Sequence, residues 1–392
     1  MTKEQDFFLQ IIKDHLHDMP TDEQYGIDWN SLYEISQSHQ MTAIVYFQCK
    51  KFIPADYLQL FRSSYLNTIS VNTQRKHLTE EIEETFQKNN VPYFLVKGDV
   101  ISKYYPQEML RTMGDTDIVS SEREVADAVL CDLDLVCSRR SDDYEWSYAK
   151  NGIVYELHDR LIHNKEIEKG EKERVVSFFS DAFQYVENHE LNIKYHFLFL
   201  IYHLRKHMMG CGVGFRQFVD IAVVIKRNQD LDWNWINEKL DQMGLRLFAD
   251  TVFAFLDKWF GVSTSFERIT ISDDLFEKST GLIFKNGVFG FDNKEDLENK
   301  DVRDIVLYEN ESMTKARLKY FLRIAFPSYQ TMRKKPEFRY INKCAILLPF
   351  AWCHRVILGV LNRDKRNKVS VSQFLTTPSA VHNVELLQQW GI

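Results

Sequence analysis

The 392-residue chain is 44% hydrophobic and 14% aromatic, enough for substantial cores, which excludes a wholly disordered protein. A formal net charge of −7 argues against coating nucleic acid by bulk electrostatics, because that binding needs Lys and Arg to neutralise phosphates. The six cysteines (Cys49, Cys131, Cys137, Cys211, Cys344 and Cys353) form no C-x-x-C pair, which fits reduced, mostly buried thiols better than a zinc site or a disulfide framework.

The length predicts two or three domains. Near the start, Lys3, Asp6, Lys13 and Asp14 break up the short apolar pieces before a signal-like run forms, so the expected location is the cytoplasm. Lys3 to His17, Trp29 to Lys50 and Leu60 to Asn89 read as helices; in the last, Val71, Leu78, Ile82 and Phe86 recur at helical spacing. Residues 1–88 are therefore a helical lead-in.

Between 89 and 190 the texture changes. Val91 to Val96 is a strand candidate that runs into Lys97-Gly98, and Val100 to Tyr105 a short helix stopped by Pro106. Asp115 to Val119 predicts a second strand and Glu122 to Leu133 a helix. Leu135 to Cys137, Tyr144 to Ala149 and Ile153 to Leu157 are further strands, the last two joined by the hairpin signal Asn151-Gly152. Strands mixed with short helices predict an α+β core of roughly a hundred residues.

Helical patterns return over 191–290, at Leu191 to Met209, Phe215 to Lys226, Trp233 to Met243 and Leu245 to Phe260. The extension 291–392 is expected to be helical at Ser312 to Phe326 and within Ile341 to Leu361. Ala345 to Leu361 is strongly apolar, yet it falls short of the roughly 20 residues of a spanning helix and is interrupted by His354 and Arg355. A buried or interfacial helix kinked at Pro349 is the ordinary reading. Arg333, Lys334, Lys335, Arg339 and Lys343 before it, with Arg363, Lys365 and Arg366 after it, make weak peripheral contact with an anionic membrane through 333–366 a minor reading.

The most informative motif is Gly114-Asp115-Thr116-Asp117-Ile118-Val119. On a strand, Asp115 and Asp117 project from one face and Thr116 and Ile118 from the other. Two adjacent carboxylates repel, and a divalent cation with oxygen ligation, Mg2+ above all, relieves the repulsion. In Ile153-Val154-Tyr155-Glu156-Leu157, Glu156 shares a face with His158 and supplies a third acid, costly to bury without a partner. Gly98 lets backbone approach phosphate oxygens ahead of a helix start, and Lys97 and Arg111 are candidate phosphate contacts. Each piece alone has a plain structural reading: a solvated D-x-D, an edge-strand acid, a strand-to-helix turn. In this order and on strands, they point to a metal and phosphate site.

The run FLVKGDVISKYYPQEMLRTMGDTDIVSS followed by VYELHDRL, at 94–121 and 154–161, resembles the uncharacterised nucleotidyltransferase family of bacteria, a branch of the DNA polymerase beta-like superfamily. HLRKH (203–207) and GVGFRQFVDIAVVI (212–225) are similar to that branch further downstream, and the likeness covers about residues 30 to 260. It implies a polymerase-beta-like α+β core with a mixed sheet between helical flanks, with Asp115, Asp117 and Glu156 as catalytic metal ligands for Mg2+ or Mn2+. The implied reaction moves a nucleoside monophosphate from an NTP to an unidentified acceptor and releases pyrophosphate. The alternative is a non-catalytic nucleotide-binding or interaction protein on the same fold. One departure stands out: Asp99 follows Gly98 where the superfamily usually has Gly or Ser, and an acid there repels phosphate unless it points away or binds metal.

Elsewhere, His203 and His207, four apart on a helix, read as a phosphate- or substrate-facing cluster with Lys206, or as packing, rather than as zinc ligands. Arg216 and Asp220 are expected to pair along their helix. No G-x-S-x-G, Walker A or G-x-G-x-x-G pattern occurs, which leaves serine hydrolases, P-loop enzymes and Rossmann dehydrogenases without support.

Overall fold

The computed structural model describes residues 1–140, 145–162, 172–210, 212–264, 269–288, 313–342, 345–361 and 385–392. They fall into two compact units, Met1–Asp292 with Gln389–Ile392, and Asn293–Gln388. Lys343, Arg363, Lys365 and Arg366 lie outside the described residues, as do Cys211 and Cys344; of the four described cysteines Cys49 alone is buried, against the expectation of mostly buried thiols.

The first unit is mixed α and β. It begins with four helices, α1 (Lys3–Leu16), α2 (Trp29–Ser38), α3 (Thr42–Cys49) and α4 (Ala55–Lys88). Thr2 and Gln5 close a capping box on α1, and the Asp28 side chain accepts from the Asn30 amide at the start of α2. Trp29 to Lys50 is two helices rather than one stretch, because Gln40 takes a left-handed φ of 55° between them. The 34 residues of α4 contain no Gly or Pro and follow Pro54 directly, so nothing interrupts the helix once it has started.

The sheet strands are β1 (Tyr93–Val96), β2 (Asp115–Ser120), β3 (Val136–Arg139), β4 (Trp146–Lys150), β5 (Ile153–His158), β6 (Val186–Glu187) and β7 (Glu190–Leu191). Their order across the sheet is β3-β4-β5-β2-β1-β7-β6. The sheet is mixed: β2 runs parallel to β5 and antiparallel to β1, and β1 runs parallel to β7. Asn151 and Gly152 both take positive φ, 53° and 79°, as a tight hairpin between β4 and β5 requires. A four-residue helix, α5 (Gly98–Ile101), follows β1, and α6 (Arg123–Asp132) follows β2.

Alternation gives the sheet two different faces. Leu95, Ile118, Tyr155 and Leu157 point to one side, where Leu78, Ile82 and Phe86 of α4 and Ala126, Val129 and Leu130 of α6 complete an apolar core. Asp115, Asp117, Glu156 and His158 point to the other. On β5 the burial alternates residue by residue, with Ile153, Tyr155 and Leu157 buried and Val154, Glu156 and His158 partly open.

After α7 (Lys172–Phe179) the chain enters a helical array of α8 (Ile193–Met209), α9 (Phe215–Arg227), α10 (Trp233–Met243), α11 (Arg246–Phe260) and α12 (Asp273–Asn286). Near the C-terminus Trp390 is buried in the first unit, stacked on Phe255 at 4.3 Å and donating from Nε1 to Ser279 Oγ at 2.9 Å.

The second unit holds α13 (Met313–Ala325), α14 (Tyr329–Arg333), a 3-10 segment (Pro336–Asn342) and α15 (Leu348–Leu361) around a small core of Met332, Phe338, Ile341 and Ala351. Pro349 does not kink α15. It occupies the first turn, where an amide without an intrahelical partner costs nothing. Among the described residues no helix is long and apolar enough to cross a membrane.

Candidate functional site

The open face of the sheet lines a cleft of about 710 Å3, with α8 and α9 contributing the opposite wall. Parallel pairing of β2 with β5 sets Asp117 directly beside Glu156, and Val96 at the end of β1 pairs with Asp117 from the other side. Two acids 39 positions apart in sequence thus become neighbours through strand register alone. Asp115, two residues back along β2, faces the same cleft.

Ligand atoms of Asp117, Glu156 and His158 all lie within 4.8 Å of one another, the only such group of three among the described residues. His158 Nε2 sits 3.0 Å from Asp117 Oδ1 and 3.9 Å from Glu156 Oε2. Lys97 Nζ donates to the same Asp117 oxygen at 2.6 Å. Asp115 shares the cleft but stands outside this tightest group.

The electrostatics follow from that crowding. Burial and then the charges of Asp117 and Asp115 push Glu156 up to about 7. Burial also works against ionised Asp117, yet the Lys97 ammonium and His158 outweigh it and hold that carboxyl well below the usual range. Lys97, penalised by the same burial, is held above its ordinary value by Asp117, Asp115 and Glu156. Asp117, Glu156 and His158 supply hard oxygen and imidazole donors. The repulsion of Glu156 by Asp117 and Asp115 is the kind a divalent cation relieves, so this donor set fits a metal.

The turn at Lys97 and Gly98 is built with care for the cleft. Lys97 has φ 58° and ψ −122°, a strained conformation for a residue with a side chain, of the kind found where function fixes the backbone. Its amide donates to Nε2 of buried His196 on α8 at 3.0 Å. Burial drives His196 down to about 3, so the ring is neutral and its Nε2 is free to accept. Gly98 is required by a close approach, because a Cβ there would lie 2.8 Å from Arg111 Nη1.

Arg111 is anchored rather than swinging. Its Nε and Nη2 donate to the two oxygens of Asp220 on α9 at 2.7 and 2.8 Å, and the Tyr105 hydroxyl donates to the same carboxylate at 2.8 Å. The fork leaves Nη1 against the Gly98 turn. Asp220 therefore pairs across the fold and not with Arg216, which donates from Nη1 to the Gln40 side chain and to the Thr112 carbonyl. His203 and His207, with ring centroids 4.4 Å apart, line the cleft together with Lys206.

Asp99 points away from the cleft. It lies behind β2, hydrogen-bonded to Thr116 and near the charges of Arg75 and Arg111, and burial raises it to about 6. That face of β2 is also where α4 grips the strand. Arg75, buried at 2% exposure, donates to Thr116 Oγ1 (2.8 Å), Gly114 O (3.1 Å) and Val154 O (3.3 Å). Asn72 donates to the carbonyls of Met109 and Arg111, and Thr79 shares a hydrogen bond with the Tyr155 hydroxyl.

Four contributors escaped the sequence: Arg75, Asn72, His196 and Asp220 as the partner of Arg111. The spacing of Asn72, Arg75 and Thr79 at i, i+3 and i+7 was a usable signal, since it puts a polar stripe on the buried face of α4. Nothing local links Arg111 to Asp220.

The sequence pattern of the family described as uncharacterised nucleotidyltransferase matches residues 25–261, a span that takes in the sheet, the cleft and both of its walls. No curated protein matches the chain, and no solved structure does. With well over half of its length matched, the chain belongs to the uncharacterised nucleotidyltransferase family.

Proposed function

We propose that the protein is a metal-dependent enzyme with a polymerase-beta-like core that moves a nucleoside monophosphate from an NTP to an acceptor. The observation that carries this reading is the register of β2 on β5, which gathers Asp115, Asp117 and Glu156 on one wall of a cleft whose other wall carries Lys206 and Arg216. Asp115, Asp117 and Glu156, with His158 beside them, would hold Mg2+ or Mn2+. A cation there would neutralise the growing charge on the phosphates and make the acceptor hydroxyl more acidic.

The chain's own groups account for the rest. Lys97 and the Nη1 of buried Arg111 flank the glycine turn and would supply donors for phosphate oxygens. Glu156, ionised once it holds the metal, would act as the base beside it that assists deprotonation of the acceptor hydroxyl. In the transfer the acceptor oxygen bonds to the α-phosphorus, the bond to pyrophosphate breaks, and the proton leaves with the base. Lys206 and His207 stand on the facing wall, where an anionic group of either substrate would meet them.

Titration calorimetry with each NTP, with and without Mg2+, is the direct test. Binding should require the metal and be lost in Asp117→Asn. Pyrophosphate release in that variant should fall by more than about 100-fold, the upper range for residues that merely support a metal ligand. A folded wild type that binds no NTP would leave the alternative, a non-catalytic interaction protein on the same fold.

A further inference from the structure

The second unit carries a charge pattern opposite to that of the whole chain. Over 293–388 it holds 17 Lys and Arg against ten Asp and Glu, and within 313–361 ten Lys and Arg accompany a single acid, Glu337, in a chain of formal net charge −7. Arg333, Lys334, Lys335 and Arg339 are all exposed.

Large apolar side chains are exposed in the same unit. Leu318, Leu322 and Phe326 follow one another at steps of four along and just beyond α13, and each is about half exposed. Ile346, in the turn just before α15, and Phe350, in its first turn and again four residues on, are 83% and 68% exposed. The two helices are tied together by Phe326 against Trp352 at 5.1 Å and by Trp352 Nε1 donating to the Pro327 carbonyl at 2.9 Å. The unit already has its own core in Met332, Phe338, Ile341 and Ala351, so these five side chains are not needed to build it.

We infer that the second unit, through these exposed basic and apolar side chains, binds the surface of an anionic lipid bilayer. Basic side chains beside exposed aliphatic and aromatic ones suit the boundary between headgroups and acyl chains, which takes up both charge and apolar area. Nucleic acid would use the basic residues but has no use for Ile346, Leu318 or Leu322, which can neither stack on bases nor pair with phosphate. The 14 residues of α15 span about 21 Å at 1.5 Å per residue, short of a hydrocarbon core of about 30 Å, so the contact lies in the plane of the interface.

The experiment is co-sedimentation of the full chain with vesicles of phosphatidylcholine alone and of phosphatidylcholine with phosphatidylglycerol, at low and high salt. Two double variants accompany it, Lys334→Glu/Lys335→Glu and Ile346→Asp/Phe350→Asp. All four positions are exposed, so folding should persist and is checked by circular dichroism. Binding to the anionic vesicles should exceed binding to the neutral ones by tenfold or more and weaken with salt. At roughly fivefold per basic side chain, the lysine double variant should bind about 25-fold more weakly or worse. The apolar double variant should also lose most of its binding, which charge alone would not explain. Equal binding to both vesicle types, no binding to either, unaffected variants, or binding to single-stranded RNA without binding to vesicles would each overturn the inference. None of these readouts involves nucleotide, so the outcome is independent of the proposed reaction.

Discussion

At the scale of single residues, Glu156 is a cleft group whose state depends strongly on its surroundings. Its ordinary value of 4.5 is raised to about 7 by burial and by the neighbouring aspartates. A raised carboxyl contributes its stability below pH 4.5 and loses it as pH rises through 7, where the charged form is forced into a crowded, negative site. A bound cation reverses that penalty. Metal affinity should therefore increase with pH through about 7, with close to one proton released per metal below that point. Mn2+ titrations at pH 6 and pH 8, in buffers of different ionisation enthalpy, measure both quantities. In Glu156→Gln the pH dependence should largely vanish; if it persists unchanged, another group is the source. Asp99 shows the same physics with a different outcome, since it is also raised by burial but turned to the back of β2, away from the cleft.

At the scale of elements, the acids are placed by helix α4 as much as by the sheet. Arg75 holds the residues on either side of Asp115 through the Gly114 carbonyl and the Thr116 hydroxyl, and holds β5 two residues before Glu156 through the Val154 carbonyl. Replacing it with Met would leave a buried hydroxyl and two carbonyls short of donors, at a cost of about 2 to 4 kcal/mol. Arg75→Met should unfold at lower denaturant and bind Mn2+ more weakly, with Arg75→Lys recovering part of both. An unchanged unfolding midpoint in Arg75→Met would remove α4 from this role. The Arg111–Asp220 fork plays the corresponding part on the opposite side of the cleft, fastening the glycine turn to α9. Strand alternation made the facing of Asp115, Asp117, Glu156 and His158 legible from sequence, because a period of two is a local property. The partners of Arg75 and Arg111 were not legible, because an arginine records nothing of which distant oxygen it will meet.

At the scale of the whole molecule, several histidines are committed to the neutral form. Burial lowers His15 to about 4 and His39 to about 3, and His196 likewise to about 3. His39 sits among Phe8, Phe215 and Phe284, with its Nδ1 accepting from the Phe215 amide at the start of α9. A base held below its unfolded value of 6.5 stabilises the fold above that pH and loses that contribution as pH falls toward the folded value. Between pH 6.5 and pH 5 each such histidine should cost about 2 kcal/mol. Urea unfolding at pH 7.5 and pH 5 should thus show a marked loss at the lower pH. Equal stability at both would mean that these rings take up protons without disturbing the fold.

What the sequence determined by itself were features set by short-range geometry and composition. These include the long uninterrupted helix α4, the Asn151-Gly152 hairpin, the alternation on β2 and β5 that aims the acids, and the helical array after residue 191. They follow from backbone sterics and from the periods of helix and strand, which neighbouring residues suffice to fix. Tertiary structure alone decided that β5 lies parallel beside β2 and so brings Glu156 against Asp117. It also decided that Arg111 takes Asp220 away from Arg216, that Asp99 turns its back on the cleft, and that His196 props the strained turn at Lys97. Those outcomes depend on which surfaces meet when the chain collapses. The energies involved come from burying and pairing groups tens to more than a hundred residues apart, and no local pattern encodes them.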